Sequence, residues 1–126
     1  MIPVTEYKDR DVLVIGLGLT GVSAALALKA GGARVHAWDD QLVKREAAAK
    51  AGVPLTDIDQ RDWSGFSALV ISPGIPIYGP NTHRAVIMAQ EYGISVIGDI
   101  ELFARTVNTC PDRMRPQIVG VTGTNG

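Results

Sequence analysis

The architecture can be worked out from a segment near the amino end, Val12-Leu13-Val14-Ile15-Gly16-Leu17-Gly18-Leu19-Thr20-Gly21. Residues 12–15 form a continuous apolar run between charged residues and a glycine, as in a strand that is buried on both faces of a parallel sheet. Residues 22–30 are rich in Ala and Leu, which favour a helix. The three glycines therefore lie between a buried strand and a helix, in the G-x-G-x-x-G order of a phosphate-binding loop.

The residues of this loop have separate roles if it binds a diphosphate. Gly16 permits the tight turn, Gly18 lets the backbone approach the ligand, and Gly21 lets the helix pack closely on the strand. The N-terminus of the helix adds partial positive charge, and Thr20 offers a hydroxyl donor. The alternative is a glycine turn that only connects a strand to a helix.

Strand and helix patterns alternate along the rest of the chain. We expect further strands at 34–38, 53–55, 68–72 and 94–97, and helices at 41–51, 82–92 and 100–107. Asn81 or Thr82 would cap the helix at 82–92, and Asp99 the helix at 100–107. Such alternation implies right-handed crossovers and parallel pairing. The prediction is an α/β fold with a Rossmann-like, doubly wound sheet of five parallel strands.

Polar residues end two of the predicted strands, where ligands bind in such sheets. Asp39 is expected at the surface, at the end of the second strand, where a carboxylate in such sheets accepts hydrogen bonds from ribose hydroxyls. Asp40 could do the same or cap the next helix. Ser72 and Gly74 end a later strand. An ordinary turn is the alternative at each place. These features alone do not distinguish between NAD, FAD and a nucleotide sugar as the ligand.

Composition narrows the classes of partner. The chain has 126 residues and a formal net charge of -1, so it can form a real core and has no broad basic surface for nucleic acid. A single cysteine excludes an internal disulfide and fits the cytoplasm. Residues 12–28 are uncharged, but three glycines interrupt them, so no membrane span is expected. His36 and His83 have no Cys, His or carboxylate neighbour at the spacing of metal ligands, so no metal site is expected. Lys44, Arg45 and Lys50 are interpreted as a solvated helix face.

The end of the chain predicts the start of another domain. Residues 117–121 have the pattern of a buried strand that leads into Thr122-Gly123-Thr124-Asn125-Gly126. This sequence resembles the first half of a phosphate-binding loop, but it does not match the general pattern, which needs glycine where Val121 stands. A core strand that ended there would leave apolar surface uncovered. We therefore expect a piece of a longer protein that contains the truncated start of a P-loop central domain.

Four segments in this order resemble the Mur ligases, and together they extend over nearly the whole chain. They are residues 14–21, Ser72-Pro73-Gly74-Ile75, Gly98-Asp99-Ile100-Glu101-Leu102-Phe103 and residues 121–126. The third segment points to the member of the family that adds D-glutamate. The resemblance implies a Rossmann-like UDP-binding domain at 1–97 and the beginning of an ATP-binding central domain at 98–126.

The resemblance also implies an activity. Full-length members are ATP-dependent ligases of peptidoglycan biosynthesis that use Mg²⁺ and join D-glutamate to UDP-N-acetylmuramoyl-L-alanine through an acyl phosphate. The loop Thr122 to Gly126 would bind ATP, and the lysine that grips the phosphates would follow at 127. We expect no catalytic residue and no cofactor in the 126-residue chain itself, and therefore no ligation by it.

Site residues follow from the resemblance by position. Leu19 and Thr20 would contact the diphosphate, Asp39 the uridine, and Gly74 would line the same site. The family has Asp-Thr-Arg where this chain has Asp39-Asp40-Gln41, so the uracil contacts at the last two positions stay open. An NAD- or FAD-dependent oxidoreductase domain would explain the glycine loop but not residues 122–126. A nucleotide-sensing module without catalysis would predict a natural end after the last strand.

Overall fold

The computed structural model describes residues 2–109, and side chains up to residue 107. The elements in chain order are β1 (Asp11–Ile15), α1 (Leu19–Ala30), β2 (Arg34–Trp38), α2 (Leu42–Lys50), β3 (Phe66–Ile71), α3 (Arg84–Glu91), β4 (Ser95–Gly98) and α4 (Asp99–Thr109). Strands and helices alternate, as the sequence predicts. No helix of this described part is long and apolar enough to cross a membrane.

The strands form one parallel sheet in the order β2-β1-β3-β4. The chain first moves outward from β1 to β2 and then crosses back over β1 to β3. The connections therefore change direction between β1 and β3, which makes this pair the topological switch point of the sheet. In parallel sheets the carboxyl edge at such a point is where ligands bind.

The predicted strand at 53–55 is wrong, and the sheet has four strands over residues 2–109 rather than five. Leu55 makes only an isolated bridge with Ala37. Two hydrogen bonds define the bridge: Ala37 N–H donates to Pro54 O at 3.0 Å, and Thr56 N–H donates to Ala37 O at 3.0 Å. Pro54 has no N–H to continue a ladder, so the pairing stops there. The α/β class and the parallel sheet are confirmed.

Apolar residues cover both faces of the sheet. Val12 and Val14 of β1 point to one side, where they pack in a core with α1 and Leu102 of α4. Leu13 and Ile15 point to the other side, into a core that includes Trp63 and α3. Alternate residues of β1 are thus buried on opposite faces, which explains why residues 12–15 are all apolar.

Two helices begin differently from the prediction. The N-cap of α3 is His83, whose Nδ1 accepts a hydrogen bond from Ala85 N–H at 3.0 Å. Thr82 cannot serve as the cap because its hydroxyl donates to Gly79 O at 2.7 Å in the preceding turn. Asp99 is the first residue of α4 rather than its cap. Helix α4 packs against α1, and the domain boundary near residue 97 stays a prediction.

Candidate functional site

A cavity of about 430 Å³ opens at the carboxyl edge of the sheet, next to the switch point. We call it the loop cavity, because it is lined by Ile15, Gly16, Gly18, Thr20, Asp39, Asp40, Gln41, Lys44, Ser72, Pro73, Gly74, Ile75, Pro76 and His83. Of the nine residues that the sequence predicts for UDP binding, seven line this cavity. The other two, Leu19 and Gly21, do not.

Gly16 and Ser72 fix the floor of the loop cavity together. Gly16 has a φ of 93°, in the left-handed region that favours glycine, and a Cβ on it would lie 2.9 Å from the Ser72 side chain. The Ser72 hydroxyl donates a hydrogen bond to Gly16 O at 3.0 Å. The end of β3 is thereby tied to the glycine loop, and no larger residue fits at position 16.

The remaining loop residues face different surroundings. A Cβ on Gly21 would overlap the carbonyl oxygen of Gly16, so this glycine allows α1 to pack on β1, as predicted. Gly18 is the N-cap of α1 and has open space where a Cβ would stand. The Leu19 side chain is 91% exposed and lines a separate apolar surface with Val22. Only the backbone of Leu19 is therefore available to a ligand in the loop cavity.

The N-terminus of α1 carries no negative group of its own. No side chain caps it, and its first turn contains no acidic residue. The first N–H groups of an α-helix lack partners inside the helix and bear partial positive charge. With Gly18 at this position and Thr20 beside the cavity, the helix end can receive an anion.

Asp39 is buried, which corrects the expectation that it lies at the surface. The residue is 7% exposed, and each of its carboxylate oxygens already accepts a backbone hydrogen bond. Oδ2 accepts from Leu17 N–H at 2.8 Å, inside the glycine loop, and Oδ1 accepts from Gln41 N–H at 2.8 Å. Asp39 therefore holds the glycine loop and the start of α2 in fixed positions relative to β2.

Asp40 belongs to a polar cluster at the rim of the loop cavity. Its carboxylate accepts hydrogen bonds from Trp38 Nε1 at 2.9 Å and Arg84 Nη1 at 3.0 Å, and it contacts His83 Nε2 at 2.8 Å. Partial burial raises the pKa of Asp40, but the hydrogen bonds outweigh burial and keep that pKa below its ordinary value. Asp40 does not cap α2, because the N-cap of that helix is Gln41 and no side chain makes a capping hydrogen bond there.

Two of the titratable residues that line the loop cavity, His83 and Lys44, were not predicted to belong to it. His83 caps α3 through Nδ1, so its neutral ring carries the proton on Nε2 and donates to Asp40. Lys44 lines the cavity, although the sequence places it with Arg45 and Lys50 on a solvated face. A usable signal for Lys44 exists: it lies in the first turn of the helix that follows Asp39, and that turn faces the carboxyl edge.

A second cavity of about 340 Å³ adjoins the loop cavity and shares Ser72, Pro73 and Ile75 with it. Asp99 and Glu101 of α4 lie in its wall. Asp99 is 2% exposed, and within residues 2–109 neither carboxylate oxygen has a hydrogen-bond partner. A ligand that follows the carboxyl edge from the glycine loop would therefore reach this second space.

Among the described residues there is no group of three or more His, Cys, Asp or Glu side chains that could hold a metal ion. The predicted ATP loop at 122–126 lies outside the described residues.

The family model and the sequence relatives of this chain carry the name of the same ligase family. The family model for the Mur ligase MurD-like N-terminal domain matches residues 10–98. The chain is 52% identical over 126 residues to the UDP-N-acetylmuramoylalanine–D-glutamate ligases of Caulobacter vibrioides (strain NA1000 / CB15N) and Phenylobacterium zucineum (strain HLK1). It is 43% identical to the protein of the same name from Brucella abortus (strain 2308). Each match covers 100% of this chain and 27% of the relative, so the chain spans about a quarter of their length.

Solved structures are similar in fold alone. A shikimate dehydrogenase from Aquifex aeolicus superimposes with a TM-score of 0.57 at 16% identity, over 80% of this chain and 46% of that one. An NAD-binding protein from Listeria innocua gives a TM-score of 0.54 at 21% identity, over 79% and 33%. These likenesses fit a Rossmann-like arrangement, and at such identities they do not indicate a ligand.

Proposed function

The chain belongs to the family of Mur ligase MurD-like N-terminal domains, and from this we infer that it binds the UDP moiety of UDP-N-acetylmuramoyl-L-alanine in the loop cavity. The family match over residues 10–98 is the observation that carries the proposal. The position of the cavity supports it, because the glycine loop and the ends of β2 and β3 meet there.

We place the diphosphate at the N-terminus of α1. Gly18 leaves the backbone open, the first turn has no acidic side chain, and Thr20 offers a hydroxyl. Backbone N–H groups at a helix N-terminus suit an anion because they donate along the helix dipole. In this arrangement Leu19 contributes its N–H and not its exposed side chain.

We place the uridine near the end of β2. Each oxygen of the Asp39 carboxylate accepts one hydrogen bond from the backbone, and a carboxylate oxygen has a second lone pair. Asp39 can therefore keep the loop in place and still accept a hydrogen bond from the nucleoside. Asp40 and Gln41 also line the cavity, so both stay candidates for contacts with the base.

The second cavity suits the part of the substrate beyond the diphosphate. It continues from the loop cavity along the same edge of the sheet, past Ser72 and Pro73. A UDP-linked sugar with an attached amino acid is much longer than UDP, and it needs a second space next to the nucleotide.

We further propose that the longer protein is an ATP-dependent, cytoplasmic ligase of peptidoglycan biosynthesis that adds D-glutamate. Three ligases of that name are 43–52% identical to the whole chain. In this proposal the central domain begins near residue 98 and binds ATP through Thr122 to Gly126, and Mg²⁺ neutralises the phosphate charge. The 126-residue chain supplies no catalytic residue, so it binds the substrate without ligating it.

The NAD- or FAD-dependent oxidoreductase remains the competing function. Its support is the glycine loop and the carboxylate at the end of β2. These features are common to nucleotide-binding sheets of many functions, whereas the sequence relatives at 43–52% identity carry the ligase name. We therefore favour the ligase substrate.

The test is a titration of the 126-residue chain with UDP, UDP-N-acetylmuramoyl-L-alanine and NAD⁺. Backbone amide NMR shifts measure affinity even when binding is weak, and they locate the ligand. We expect UDP to bind more tightly than NAD⁺ and to shift the amides of Gly18 and Thr20. Tighter binding of NAD⁺, or UDP shifts confined to residues outside the loop cavity, would overturn the proposal.

A further inference from the structure

The two carboxylates that line the loop cavity both have partners. Asp39 accepts hydrogen bonds from two backbone N–H groups, and Asp40 pairs with Arg84 at 3.0 Å. Lys44 is different: within residues 2–109 its ammonium group makes no hydrogen bond and no ion pair. Its side chain is half-buried in the wall of the cavity. Among the residues that the structure describes, the cavity thus contains an ammonium group that forms no ion pair.

The position of Lys44 in α2 is unfavourable for the helix. The residue lies in the first turn, where the helix dipole is positive and a cation is repelled. No acidic residue lies in that turn and no side chain caps the helix, and the Asp39 carboxylate just before it is already held by Gln41 N–H. The dipole of α2 therefore gives no reason for a cation at this position.

The neighbouring cation shows the contrast. Arg45 donates to Asp39 O at 2.7 Å, and its guanidinium lies 4.3 Å from the centre of the Trp38 ring. Lys50, in the last turn of the same helix, is exposed and lies where the dipole favours a cation. Arg45 is thus held by a hydrogen bond and an aromatic ring, and Lys50 lies at the favourable end of the helix dipole. Lys44 has neither of these features.

We propose that Lys44 determines the specificity of the loop cavity for a ligand that carries a diphosphate, by giving the phosphates a second positive group in the cavity that the N-terminus of α1 also lines. This inference rests on the proposed function, since it assigns a residue to the same site. The ligand class is a nucleoside diphosphate or its ester. Lys44 contributes to binding of the phosphates and not of the nucleoside, and it is a specificity residue rather than a catalytic one.

The experiment measures UDP and uridine binding by amide NMR titration for the wild-type chain and for Lys44→Gln, Lys44→Arg and Lys50→Gln. The melting temperature of each unliganded chain is measured in parallel by circular dichroism. Lys50→Gln is the matched control, because it removes the same charge from the opposite end of the same helix.

We expect Lys44→Gln to weaken UDP binding at least about fivefold, the scale of a charge–charge attraction in a partly exposed site. The shifts that uridine causes should stay the same, and the unliganded variant should melt at the same or a higher temperature. Lys44→Arg should keep UDP affinity within about twofold, because it keeps the charge. Lys50→Gln should bind UDP normally and melt at a slightly lower temperature.

Unchanged UDP affinity in Lys44→Gln would overturn the inference while leaving the proposed function in place. Equal losses for UDP and uridine, or a lower melting temperature with proportionate loss of both ligands, would assign Lys44 a structural role and also overturn it. Failure of the wild-type chain to bind UDP would instead remove the proposed function, and the inference with it.

Discussion

Replacing Asp39 with asparagine should destabilise the unliganded chain, because the Asp39 carboxylate is part of the fold as well as part of the cavity. It accepts hydrogen bonds from Leu17 N–H and Gln41 N–H, one on each oxygen. Asparagine has nearly the same shape but only one acceptor oxygen. One backbone N–H would therefore face an NH₂ group and lose its partner in a buried place.

The size of the effect follows from these contacts. A hydrogen bond to a charged group contributes about 1.5–3 kcal/mol, and a buried donor left without a partner costs a similar amount. We therefore expect Asp39→Asn to lower the free energy of unfolding by about 2–3 kcal/mol. Urea denaturation followed by tryptophan fluorescence measures this quantity, since Trp38 and Trp63 lie in the folded part.

Asp57→Asn is the matched control. Asp57 Oδ1 accepts a hydrogen bond from Asp59 N–H at 3.0 Å, the same local geometry in an exposed turn. Its substitution should change the free energy of unfolding by no more than about 0.5 kcal/mol. If Asp39→Asn were as stable as this control, the carboxylate would not be holding the glycine loop, and our reasoning about Asp39 would be refuted.

Three further variants, two in the glycine-loop region and one at the opposite edge of the sheet, are tested by the same denaturation assay. Gly21→Ala should cost about 3 kcal/mol, because its methyl group overlaps the carbonyl oxygen of Gly16, whereas Gly65→Ala has open space and should cost almost nothing. Ser72→Ala removes the hydrogen bond to Gly16 O and should lower the free energy of unfolding by about 1 kcal/mol. An unchanged free energy of unfolding would show that this bond does not stabilise the loop. A hydrogen bond from Arg34 lowers the pKa of Asp11 in the folded chain. The stability that this bond gives is therefore fully present above about pH 4 and is lost as the pH falls through the folded-state pKa. Asp11→Asn should make the free energy of unfolding less dependent on pH in this range.

The local parts of the fold could be predicted from the sequence, because short-range chemistry determines them. An apolar run followed by glycines and an Ala-rich segment specifies β1, the loop and α1, and it also identified Gly16 and Gly21 with their separate roles. The strand at 53–55 was over-predicted, since its apolar ends suggested pairing while Pro54 removes the N–H that pairing requires.

The surroundings of the site residues could not be predicted in the same way. Asp39 was expected at the surface, yet its partner Leu17 comes from a loop much earlier in the sequence, and only the parallel pairing of β1 and β2 brings the two together. The same holds for His83, which reaches Asp40 from the start of α3. Contacts between elements far apart in the chain depend on how the sheet is assembled, and no local pattern records them.

The bonds that Asp39 makes also bear on the kinetics of ligand capture. Because its two backbone bonds exist without any ligand, the glycine loop is preorganised, and an incoming nucleotide does not have to order it. The entropy of fixing that backbone has already been lost during folding. Association with UDP should therefore proceed in a single step at a rate limited by diffusion and orientation, without a slow phase of loop rearrangement.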